Sequence, residues 1–121
     1  MIIASKILIA LVAIEHLYIL YIEMFAWETK GKATFRSLPA DLFKPTKGLA
    51  ANQGLYNGFL AAGLLWCLCI ENQEWSFNIA VFFLGCVIVA GVFGAITASK
   101  SIFLKQGLPA LIALLFVILS R

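Results

Sequence analysis

At 121 residues, 63% of them hydrophobic and only 12% charged, the chain reads as one domain lying mostly inside lipid, which excludes an ordinary soluble globular protein. Its formal charge of +3 is small and scattered among loops, so it offers no nucleic-acid surface. The first residues do not read as a cleavable signal peptide: Lys6 and the amino terminus are the only early positive charges, the apolar stretch is too long, and no small-residue cleavage site follows.

Four apolar segments follow one another, from about Ile2 to Trp27, Leu49 to Ile70, Phe77 to Ala98 and Ile102 to Leu119. Each is long enough to span a bilayer as a helix, and none alternates as a membrane strand does. The predicted fold is therefore an all-α membrane protein, a bundle of four transmembrane helices. Lys30, Lys32, Arg36, Lys44 and Lys47 lie in the first loop and Lys100 and Lys105 in the third, whereas the second holds only the acids Glu71 and Glu74. The positive-inside bias places both basic loops in the cytoplasm and both termini outside the cell membrane.

The first segment contains the costly residues. An ionised side chain at the centre of a spanning helix costs roughly 2.5–3.5 kcal/mol on insertion scales, so Glu15, His16 and Glu23 mark an intramembrane site by default. At about 100° per residue, Glu15, His16, Ile19, Glu23 and Trp27 fall within one third of the circumference, with Tyr18 and Tyr21 on the other side. In the first loop, Phe35, Leu38, Leu42 and Phe43 are spaced as a short apolar face, started by Ser37 with Pro39 and stopped before Pro45, which predicts a short interfacial helix, either an anchor or a lid.

The second segment carries Asn52, Gln53, Tyr56 and Asn57 on one predicted face, at the depth of Glu23 and just below it. Two polar stripes on helices joined by one loop should face each other. Thr97 and Gln106 come to the same cytoplasmic level, and the outer half holds almost nothing polar. The predicted site is a funnel opening toward the cytoplasm with Glu15 and His16 at its floor.

Trp27, Trp66 and Trp75 read as interfacial belt anchors. Small residues in the third segment, Ala90, Gly94 and Ala98 with Gly91 and Ala95, recur every four residues and suit close helix packing, within the bundle or in a homodimer. In the fourth, Pro109 either kinks a helix already begun near Ile102 or starts a new one. Cys67, Cys69 and Cys86 read as small apolar filler. With no second His beside Glu15, His16 and Glu23, no metal is expected, and no cofactor motif is present.

A Glu–His pair able to redistribute protons suits acid–base work, with Glu15, His16 and Glu23 in the catalytic roles. Asn52, Gln53, Tyr56, Asn57 and Gln106 would then orient a small hydrophobic or amphiphilic ligand, in an isomerase- or hydrolase-type reaction. A proton-coupled transporter acting as a dimer is a second reading. A structural or partner-binding protein whose polar groups form a packing network is a third.

The stretches Glu15-His16-Leu17-Tyr18-Ile19-Leu20-Tyr21-Ile22-Glu23-Met24 and Asn52-Gln53-Gly54-Leu55-Tyr56-Asn57-Gly58, with the later Gln106-Gly107-Leu108-Pro109-Ala110, resemble a bacterial and fungal family of small predicted membrane proteins, domain-of-unknown-function family 1304. The resemblance covers essentially the whole chain. It implies four helices in a membrane and implies no activity. Small multidrug transporters are analogous in size and in a first-helix Glu, and sterol-isomerase-like enzymes in using Glu and His; the motifs of neither group are present.

Overall fold

The computed structural model describes residues 1–121 and is all-helical. Its long elements are α1 (Ile3–Phe25), α2 (Lys47–Cys69), α3 (Gln73–Thr97) and α4 (Lys100–Leu119). Only three of these, α1, α3 and α4, are long and apolar enough to cross a membrane, where the sequence reading predicts four. The difference lies in α2. It equals α1 at 23 residues, but Asn52, Gln53, Asn57 and four glycines dilute its hydropathy.

The helices sit at the corners of a square in chain order, α1 against α2 and α4, and α3 against the same two. Periodicity sets which face each presents. In α1, Ser5, Ile9, Val12, Ala13, His16, Ile19, Ile22 and Glu23 are buried at helical spacing, while Ile3, Ile7, Leu11 and Ile14 point outward. The apolar core lies toward the end that holds both chain termini. There Ile9, Val12 and Ala13 meet Leu64 and Cys67, Ala80, Leu84 and Val87, and Ala110, Ala113 and Val117. Two polar contacts tie that end together. Ser5 Oγ meets Ser120 Oγ at 3.1 Å, and Ser76 Oγ donates to the Cys67 carbonyl at 2.7 Å. The start of α3 is set by Asn72, whose side chain accepts from the Trp75 N–H at 3.0 Å, a cap that carries the helix four residues beyond the apolar run.

At the other end, α1 and α2 cross closely. A Cβ on Gly54 would stand 2.7 Å from Met24 Cγ and 3.2 Å from the Leu20 carbonyl, so only hydrogen fits there. The Gly54-x-x-x-Gly58 spacing thus belongs to an internal contact.

The loop between α1 and α2 departs from expectation. Ala26 leaves helical geometry at φ −137°, and the chain continues through a wide turn, Trp27–Gly31, in which the Gly31 N–H reaches the Ala26 carbonyl at 2.9 Å. The predicted interfacial helix shrinks to one turn, Ala40–Leu42, because Pro39 and Pro45 leave room for little more. Phe43 points inward instead, 1% exposed and 4.8 Å from the Trp27 ring centre, while Leu42 stays outside. Trp27 is half-buried just past the end of α1. Its indole N–H donates to Thr46 Oγ1 at 3.0 Å, which closes the loop, whereas Trp66 and Trp75 face outward as anchors would.

Candidate functional site

The space left by this packing lies at the basic-loop end, between α1, residues 33–37 of the first loop and the first two turns of α4. It is a half-open cavity of about 650 Å³, within the roughly 300–1,000 Å³ range of small-molecule pockets. Tyr18, Ile19, Ile22, Phe35 and Ile102 give it an apolar side, and Thr34, Ser37, Ser99, Ser101 and Gln106 supply hydroxyls and an amide. Glu15 is its only acid, and Arg36 and Lys105 are its only cations.

Glu15 is half-buried, and its Oε1 is shut off from solvent with no donor in reach. A buried acceptor without a partner is uncommon, because each such group costs about 1–3 kcal/mol. The rest of the predicted set divides. Gln106 lines the cavity with Glu15. His16, 1% exposed, turns into the bundle, and its Nδ1–H donates to the Val12 carbonyl at 2.8 Å, one turn back on its own helix. It is not part of the cavity lining and no hydrogen bond joins it to Glu15. Glu23 is buried against α2, where Asn57 Nδ2 donates to its Oε1 at 2.6 Å. Asn52, Gln53 and Tyr56 are exposed on α2, and none of them lines the cavity.

Geometry explains the split. In a square bundle the two neighbours of a helix lie about 90° apart, so a stripe one third of the circumference wide reaches both. Glu15 and Glu23 are about 80° apart on α1, enough for one to meet α2 and the other the cavity. On α2, Asn52 and Tyr56 stand about 140° and 100° from Asn57, too far to share its contact. Tyr18, which the stripe put on the opposite side, is one turn from Glu15 and lines the cavity with it.

The sequence reading missed Arg36, Lys105, Ser99 and Ser101. Its signal for them was the basic character of the two loops, used there only for orientation. The structure brings them together because Phe103–Gly107 forms a wide turn inside α4, where the Leu108 N–H bonds the Phe103 carbonyl. That turn carries Lys105 and Gln106 to the cavity. The regular helix resumes at Leu108 with Pro109 in its first turn, where a missing N–H is tolerated. Nowhere do three or more His, Cys, Asp or Glu side chains converge as metal ligands would.

Comparison with known proteins adds kinship without an activity. A relative from Lactococcus lactis subsp. lactis (strain IL1403), the uncharacterized protein YpaA, is 32% identical over 117 residues, covering 95% of this chain and 97% of that protein. No solved structure matches. The family model described as protein of unknown function (DUF1304) matches residues 10–118, and the chain belongs to that family.

Proposed function

We propose that the protein spans the membrane four times and binds a small hydrophobic or amphiphilic molecule in the cavity at the basic-loop end, with Glu15 sharing or exchanging a proton with it. Two features of α2 support a fourth span. It runs beside α1, and the polar residues of its outward face, Lys47, Asn52, Gln53 and Tyr56, lie toward the loop end. Beyond them it turns apolar through Phe59, Leu65 and Trp66. Amides at that level sit at headgroup depth, where water meets them. The basic residues of the first and third loops then put the cavity mouth on the cytoplasmic side, with both termini outside.

The observation that carries the binding reading is a carboxyl, that of Glu15, which belongs to the cavity lining and has one oxygen, Oε1, buried without a hydrogen-bond partner. A carboxyl there accepts a hydrogen bond from a bound hydroxyl or amine. It also serves as the acid–base group for proton transfer within the ligand, as in an isomerisation. His16 and Glu23 take supporting places in this reading. The packing alternative is favoured by a specific contact for one pair alone, Glu23 with Asn57.

The test is mass spectrometry of small molecules co-purifying with the native protein and with Glu15→Gln, at equal folded yield. A defined amphiphile bound to the native protein and depleted at least about tenfold in the variant is the expected result, the loss of one hydrogen bond to a charged acceptor. Identical lipid profiles from the two proteins would overturn the assignment of Glu15. Proton flux through reconstituted vesicles would then examine the transporter reading.

A further inference from the structure

Charge inside the cavity is segregated along the helix axes, and this narrows the ligand. Glu15 lies ten residues from the loop end of α1, a depth of about 15 Å at 1.5 Å per residue. Lys105 lies five residues into α4, about 7–8 Å deep, and Arg36 belongs to the loop itself. Tyr18, Ile19, Ile22 and Ile102 lie on the wall between these levels. Arg36 uses its Nε–H on the Ala33 carbonyl at 3.1 Å, which fixes the base of the guanidinium and leaves the fork at its tip for another acceptor. Ser99 and Ser101, whose hydroxyls meet at 2.8 Å, add polar groups beside Lys105.

From this arrangement, and resting on the binding role proposed above, we infer that the ligand is a single-chain amphiphile with an anionic headgroup. The headgroup sits on Arg36 and Lys105, and a hydroxyl or amine reaches Glu15. A free inorganic anion satisfies only the cations. A fully apolar molecule leaves both cations and the Glu15 oxygen without partners. Only a molecule whose anion and whose hydroxyl or amine stand roughly 8–15 Å apart meets both levels. Guanidinium and ammonium groups beside hydroxyls bind phosphate and carboxylate alike, so the inference concerns an anion on a chain and is tested with a phosphate monoester.

The experiment uses the full chain in phosphatidylcholine nanodiscs, titrated with 12-hydroxydodecyl phosphate, with dodecane-1,12-diol (the same chain without phosphate), and with inorganic phosphate. Native mass spectrometry gives the bound fraction. The native protein should prefer the hydroxyalkyl phosphate over the diol by about tenfold or more, since each charged hydrogen bond contributes substantially. The double variant R36A/K105A changes two exposed side chains and so should fold; it should lose that preference and keep diol binding. Glu15→Gln should weaken both ligands. A preference that survives in R36A/K105A, or inorganic phosphate that displaces the hydroxyalkyl phosphate at equal concentration, would overturn the anionic-amphiphile assignment and leave the role of Glu15 standing. Binding of both ligands unchanged in Glu15→Gln would overturn the cavity reading itself.

Discussion

Gly91→Ala should be among the most damaging single-methyl additions in this protein. The new Cβ would stand 2.8 Å from Gly107 Cα and 2.9 Å from Gly107 N, both backbone atoms of the facing helix. A side chain can rotate away from such a contact; a backbone cannot. α3 and the wide turn of α4 would have to separate by several tenths of an ångström, and overpacking of this kind costs about 1–3 kcal/mol. The expected result is a clear loss of stability against denaturation in detergent, and a larger one for Gly91→Leu. Gly85 on the same helix is the control. A Cβ there meets nothing within 4 Å, so Gly85→Ala should be neutral or gain up to about 1 kcal/mol from helix propensity. Because Gly107 ends the turn that brings Lys105 and Gln106 to the cavity, Gly91→Ala should also weaken the binding proposed for that cavity, and Gly85→Ala should not. Equal stability of the two alanine variants would show that the α3–α4 crossing is looser than described.

That crossing also shows what a sequence of this kind discloses. The small residues of α3 announce close packing, and Gly91 fulfils it against Gly107. Nothing in the spacing says that the partner is the one segment of α4 that leaves regular helical geometry. Pro109 points to an irregularity, yet it gives no hint that the chain resolves it by widening the turn before the proline. The four long helices were legible because apolar runs of this length have few other forms, and lipid or core demands one dominant face from each.

The lining of the candidate cavity was legible in its level along the helices and only half legible in direction. Glu15 and Gln106 were placed at the same opening because residue number along a helix fixes depth to within a turn. Direction was lost because a polar stripe drawn as one third of a helix is wider than the angle between its two neighbours. His16 and Glu23 were therefore grouped with Glu15 although each faces another partner. Arg36 illustrates a different limit. Its position follows from the loop path through Trp27, Phe43 and Thr46, a set of contacts far apart in sequence that no local pattern encodes.

The pair those limits concealed yields the other large effect. Glu23 is 3% exposed and has one hydrogen-bonding partner, Asn57, at 2.6 Å from the neighbouring helix. Asn57→Ala removes the donor and leaves a carboxyl oxygen buried without a bond. The full cost of such an orphan is about 1–3 kcal/mol, while interhelical hydrogen bonds in membranes average about 0.6 and reach about 1.7 kcal/mol. The low exposure of Glu23 and the short bond place this pair toward the upper end, so a destabilisation near 1–2 kcal/mol is expected. Glu23→Gln retains a carbonyl oxygen for the Asn57 amide and should cost much less. A double-mutant cycle through Glu23→Leu and Asn57→Leu should give a coupling that the single changes do not share with Glu15→Gln, since Glu15 makes no bond to either. The same proteins separate scaffold from chemistry. A clasp between α1 and α2 predicts that Glu23→Gln folds and keeps the binding proposed for the cavity, with stability as the only quantity that moves. Loss of ligand in Glu23→Gln at unchanged stability would instead put that second carboxylate back into the site, with α2 as one of its walls.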